Sequence, residues 1–137
     1  VYTRYGNPTF AALETAVAAL EGAEAAVAFG SGMAALHAAV LNHVQGGSRI
    51  VAAREIYGAT AALFTNLFAT LGVKTTFVDV FDLAALEQAV AEAKPRVVFV
   101  ETISNPLLRV ADLPAIASIA RAANATLVVD NTFASPV

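Results

Sequence analysis

A chain of 137 residues is one domain or part of one, and with 58% hydrophobic and only 14% charged residues most of it must be buried. A net charge of −3 without any Lys/Arg cluster leaves no electrostatic footprint for nucleic acid. The lack of cysteine excludes disulfides and thiolate metal sites, and fits a reducing cytoplasm.

Two stretches lack formal charge, 25–48 and 56–73. Both are interrupted by Gly and polar residues, so core helices and strands explain them better than membrane spans. Residues 1–8 read as an irregular arm carrying Tyr2, Arg4 and Tyr5. Pro8 and Thr9 open a helix whose Phe10, Leu13, Val17 and Leu20 keep three-to-four spacing until Gly22. A strand is expected over 25–29, then a helix capped by Ser31 and running to about His43. Further strands are expected over 49–53, 74–80, 96–100 and 126–129. Helices from about 58 to 71, from Asp82 to about 93, and from Asp112 with Pro114 in its first turn separate them. Strands alternating with helices at this rhythm predict an α/β fold with three layers, a mostly parallel sheet covered by helices on both faces.

The residues with chemical potential fall just behind the expected strands. Gly30-Ser31-Gly32-Met33 offers backbone N–H groups at a helix start, where the helix dipole adds about 0.3–2 kcal/mol for an anion. Glu55 and Tyr57 follow the next strand. Glu101-Thr102-Ile103-Ser104-Asn105-Pro106 and Asp130-Asn131-Thr132 follow two later ones. Open α/β sheets keep their ligand crevice at this edge, and an acid there needs a cationic or hydrogen-bonding partner. Asp130 could equally cap the next turn. The constellation suits a flat, phosphorylated heteroaromatic cofactor. A competing reading is a dinucleotide site, since Gly30-Ser31-Gly32-Met33-Ala34-Ala35 matches G-x-G-x-x-A, with Glu55 a little beyond the expected ribose acid. That reading leaves Asn105 and Asp130 without work. His37 and His43, six apart, have a poor spacing for shared ligation, so no metal site is expected.

Taken in order, Tyr2-x-Arg4-Tyr5-Gly6-Asn7-Pro8-Thr9, Ser31-Gly32-Met33-Ala34-Ala35, Tyr57-Gly58-x-Thr60, Glu101-Thr102-x-Ser104-Asn105-Pro106 and Asp130-Asn131-Thr132-Phe133 resemble the Cys/Met-metabolism, or trans-sulfuration, family of pyridoxal-phosphate enzymes. The resemblance covers essentially the whole chain. It implies the major domain of a fold-type I enzyme, incomplete, with the arm at 1–8 and the first half of the cofactor-binding domain at 9–137.

It also implies roles for single residues. Asp130 would keep the pyridine nitrogen protonated, Thr132 would lie against the cofactor, and Asn105 near its phenolic oxygen. Tyr57 would stack on the ring, and Ser31, Gly32 and Met33 would hold the phosphate. Tyr2 and Arg4 would reach a neighbouring subunit's phosphate, making a homodimer or homotetramer with shared sites. Asp130 and Tyr57 are the catalytic candidates.

Each role has a plainer counterpart. Tyr57 could only pack a helix start, Arg4 could be a solvated arm residue, Glu101 could merely support the Asn105 loop, and Met33 could fill core. The chain departs from the resemblance at Ala59, where many members carry a second glycine. It also departs in its lysines: only Lys74 and Lys94 are present, and neither stands at a strand's carboxyl end. The cofactor-bearing lysine lies downstream in the family. The expectation is therefore a piece of a cytoplasmic enzyme acting at Cβ or Cγ of sulfur amino acids or activated homoserine, inert by itself. The alternatives are a nicotinamide dehydrogenase fragment and a non-catalytic assembly module of the same fold.

Overall fold

The computed structural model describes residues 2–136; Val1 of the arm and Val137 at the end of the expected half-domain lie outside them. In chain order the elements are α1 (Pro8–Leu20), α2 (Gly32–Leu41), β1 (Arg49–Ala53) and α3 (Gly58–Ala62), which continues as a π-helical segment, Leu63–Phe68. Then come β2 (Lys74–Val78), α4 (Leu83–Ala93), β3 (Val97–Glu101), α5 (Leu113–Ala122) and β4 (Thr126–Asp130).

Capping chemistry sets most helix starts. The side chains of Asn7, Ser31, Asp82 and Asp112 accept N–H bonds from Thr9, Ala34, Ala85 and Ala115, each occupying a donor the first turn cannot satisfy. Gly22 ends α1 and Gly72 turns the chain into β2, both at positive φ where glycine is unstrained.

The four strands are parallel in the order β2-β1-β3-β4. From β1 the chain moves outward to β2, then crosses back past β1 to β3 and on to β4. Right-handed crossovers therefore put α3 on one face and α4 and α5 on the other. α4 and α5 pack against each other, while His37 of α2 meets Phe68 of the π-helical segment, ring centres 5.5 Å apart. The three-layer expectation thus holds.

β1 and β3 are the inner strands, and β3 is buried along its whole length, as apolar runs under two helical layers require. Phe64, Phe68 and Phe99 fill the centre, with Phe64 edge-on to Phe99 at 5.2 Å. The reversal of direction between β1 and β3 is a topological switch point, where such sheets open a crevice at their carboxyl ends.

One expectation fails. Residues 25–29 form no strand: no described strand lies beside them, Val27 is 71% exposed, and one side-chain bond, Ala28 N–H to Glu14 Oε1 at 2.8 Å, holds the segment. An extended run becomes a strand only when a neighbour takes its hydrogen bonds. The helix α1 forms as expected yet buries none of its residues, with Phe10, Leu13 and Leu20 half or more exposed.

Candidate cofactor site at the sheet's carboxyl edge

A cavity of about 390 Å³ opens at the switch point. One wall is the start of α2: Ser31, Gly32 and Met33 line it, with Leu36 behind them. Ser31 caps this helix through its hydroxyl (Ala34 N–H, 3.1 Å) and its carbonyl (Ala35 N–H, 3.1 Å). The N–H groups of Gly32 and Met33 find no acceptor among the described residues. A Cβ built on Gly32 would meet nothing within 4 Å, so backbone faces open space there. Free N–H groups at a helix N-terminus are an anion cradle.

The opposite wall comes from the ends of β3 and β4. Glu101 and Asp130 are register partners on these neighbouring strands. Asp130 Oδ1 accepts Thr132 N–H at 3.1 Å and the Thr132 hydroxyl at 2.5 Å, while Oδ2 has no partner among the described residues. The threonine thus orients the carboxylate and leaves one oxygen for a ligand. Asn131 Oδ1 accepts the Thr102 hydroxyl at 2.6 Å, and Thr102 N–H donates to the Asp130 carbonyl, tying the two strand ends together.

Glu101 has a different task. It is only 7% exposed, and its Oε1 accepts Tyr57 N–H at 2.6 Å. Burial pushes its carboxyl pKa up, and the nearby Asp130 charge adds to this; N–H bonds from Tyr57 and Asn105 pull it partly back. Glu101 thereby bridges the switch point, joining the loop after β1 to the end of β3. It supports the Tyr57 turn as well as the Asn105 loop. Tyr57 lines the cavity with half of its surface exposed, and Asn105, Ile103 and Phe133 complete the wall.

The structure therefore brings together Ser31, Gly32, Met33, Tyr57, Asn105, Asp130 and Thr132. Tyr2 and Arg4 are not among them: Arg4 lies over the rings of Tyr2 and Tyr5, 5.2 and 5.1 Å from their centres, on an exposed arm. Leu36, Ile103 and Phe133 join the lining unforeseen. They are apolar residues next to polar motifs, and their neighbourhood was the one available signal.

The dinucleotide reading fails here. Its glycines do not follow a sheet strand. Its proposed ribose acid, Glu55, is taken up by Ser104 (3.1 Å) and Arg109 (2.8 Å). The donor set instead fits pyridoxal phosphate: free N–H groups for a phosphate, an oriented carboxylate for a protonated ring nitrogen, an amide for a phenolic oxygen and an exposed aromatic face for stacking.

Comparison with known proteins agrees. The description "Cys/Met metabolism PLP-dependent enzyme" matches residues 1–137. The chain is 43% identical over 136 residues to an O-succinylhomoserine sulfhydrylase of Pseudomonas aeruginosa, a match covering 99% of this chain and 34% of that protein. It is 41% identical over 138 residues to a methionine γ-lyase of Arabidopsis thaliana, covering 100% of this chain and 31% of that one. The crystal structure of cystathionine γ-lyase from Lactobacillus plantarum complexed with L-serine matches with a TM-score of 0.91 at 41% identity, over 98% of this chain and 35% of that chain. The chain spans about a third of the length of the curated relatives it matches. Fold, site chemistry and likeness agree, and the chain belongs to the Cys/Met-metabolism family of pyridoxal-phosphate-dependent enzymes.

Proposed function

We propose that this chain is the N-terminal arm, 1–8, and the first half of the cofactor-binding domain, 9–137, of a cytoplasmic trans-sulfuration enzyme. The whole protein eliminates or replaces a group at Cβ or Cγ of a sulfur amino acid or an activated homoserine. The observation that carries this reading is Asp130, oriented by Thr132 with one oxygen left free, facing a helix N-terminus across one cavity. When bound, pyridoxal phosphate supplies an electron sink for charge developing on a substrate carbon.

The chain's residues make that sink usable. Asp130 holds a proton on the ring nitrogen, and a carboxylate facing that cation is stabilised in return. Gly32 and Met33 N–H groups bind the phosphate with the help of the α2 dipole. Tyr57 covers the ring face, a contact worth about 0.5–1.5 kcal/mol beyond burial, and Asn105 donates to the phenolic oxygen. Proton transfer at the substrate carbon needs a lysine base. Lys74 begins β2 and Lys94 caps the end of α4, at the sheet edge away from the cavity, so these residues alone perform no turnover.

Tyr2 and Arg4 complete the phosphate site of a neighbouring subunit in a homodimer or homotetramer, where the planar guanidinium gives paired bonds. Their exposure on the arm supports this reading. A single experiment on the full-length protein tests both halves. Asp130→Ala and Arg4→Ala are each expected to lose nearly all turnover while melting close to the unsubstituted protein. Co-expressed, they should recover part of the activity, because some hybrids hold one undamaged site. Normal turnover in Asp130→Ala reduces that residue to a turn cap. No recovery in verified hybrids returns the arm to its own chain's site.

A further inference from the structure

The loop between β3 and α5 leaves the sheet as a narrow excursion. Its neck is closed by an antiparallel bridge between Ile103 and Val110 and by Ser104 N–H donating to the Arg109 carbonyl at 2.9 Å. Asn105 stands on the outgoing limb and lines the cavity, whereas Arg109 on the returning limb does not. Near the tip, Leu107 and Leu108 are 64% and 67% exposed, so no apolar anchor fixes the loop.

Polar contacts behind the cavity replace that anchor. Arg109 donates to Glu55 Oε1 at 2.8 Å, lies 3.5 Å from Asp79 Oδ2 and covers the Phe81 ring at 3.7 Å. The Ser104 side chain, in a residue 1% exposed, donates to Glu55 Oε2 at 3.1 Å and accepts Arg109 N–H at 3.2 Å. Both oxygens of Glu55 are thus held by the loop, one by each limb. Glu55 follows β1, while Asp79 and Phe81 follow β2. One guanidinium therefore ties together the carboxyl ends of three strands. A planar fork over an aromatic face can do this; a lysine's point charge can do only part of it.

We propose that Arg109 is a positioning residue: through Ser104 and Glu55 it holds Asn105 against the cavity, and so sets where that amide meets the cofactor. Simple surface ion pairs contribute about 0–1 kcal/mol. This one shares Glu55 with the buried Ser104 hydroxyl, so a Glu55 loosened by loss of the guanidinium also loosens its bond to Ser104. The inference rests on the pyridoxal-phosphate reading of the cavity.

The test compares Arg109→Ala, Arg109→Lys, Asn105→Ala and the Asn105→Ala/Arg109→Ala double variant in the full-length protein. It reads pyridoxal-phosphate affinity by absorption titration and amide exchange at Asn105, Leu107 and Leu108. In metal sites, residues that orient a ligand from behind are worth about 10- to 100-fold in affinity. Arg109→Ala is expected at the lower end, roughly tenfold weaker, with faster exchange at all three amides and partial recovery in Arg109→Lys. In the Asn105→Ala background its additional effect should fall below about twofold, because the two act through one contact. Unchanged affinity and exchange in Arg109→Ala overturn the proposal, as does full multiplication of the two single effects. If Arg109→Ala does not fold, Glu55→Gln takes its place with the same expected direction. Failure of the unsubstituted protein to bind pyridoxal phosphate defeats the proposed function instead, and the exchange data still decide whether Arg109 holds the loop.

Discussion

Replacing Glu101 separates its geometry from its charge. Its Oε1 accepts Tyr57 N–H at 2.6 Å inside a buried strand end, so Glu101→Ala leaves a part-buried donor without a partner. Such a donor costs about 1–3 kcal/mol, which corresponds to roughly 5- to 150-fold in a local opening equilibrium. Glu101→Gln keeps an acceptor in the same place and removes the buried charge. Amide exchange at Tyr57 is the direct assay: it should quicken by that factor in Glu101→Ala and stay within about twofold in Glu101→Gln.

Melting against pH gives a second readout. The carboxyl pKa is raised in the folded state, first by burial and then by Asp130, so the folded protein holds the proton to higher pH than the unfolded chain. Its contribution is therefore full below the ordinary carboxyl value and is lost as pH rises through the raised one. Glu101→Gln should flatten that decline. If glutamine quickens Tyr57 exchange as much as alanine does, the charge rather than the acceptor geometry of Glu101 holds the turn.

Phe99→Ala removes a fully buried ring that meets Phe64 edge-on, and should cost about 3–5 kcal/mol in denaturant unfolding; a loss below about 1 kcal/mol would show that the central strand repacks freely. Borohydride reduction of the 137-residue chain with pyridoxal phosphate, followed by peptide mapping, should leave Lys74 and Lys94 without stoichiometric label, since both stand at the sheet edge away from the cavity. Full labelling of either lysine contradicts the assigned geometry.

What was legible in the sequence is local chemistry. Ser31, Asp82 and Asp112 announce helix starts because a cap acts over three residues, and they cap as expected. The strands expected over 49–53, 74–80, 96–100 and 126–129 are visible as short apolar runs between turn signals and form at nearly those bounds, and the motifs behind them converge on one cavity as the parallel arrangement requires. Long-range pairing was not legible. Arg109 and Glu55 lie 54 positions apart, and nothing near Arg109 distinguishes it from a solvated cation. Residues 25–29 have strand composition, but composition cannot supply the neighbour a strand needs. The π-helical turn at Leu63–Phe68 is equally silent: the spacing of Phe64 and Phe68 suits an ordinary helix.

The position of β4 has a practical consequence. Among the described residues it pairs with β3 alone, so its other side presents an outward row of N–H and C=O groups beside half-covered Leu127, Val128 and Val129. A row of this kind is a template that any extended segment can join. Handled as a separate piece, the chain carries this seam together with the bare apolar side of α1, a combination that favours self-templated aggregation as concentration rises. Dilute handling, or a short extended peptide supplied to occupy the seam, follows directly from the strand order.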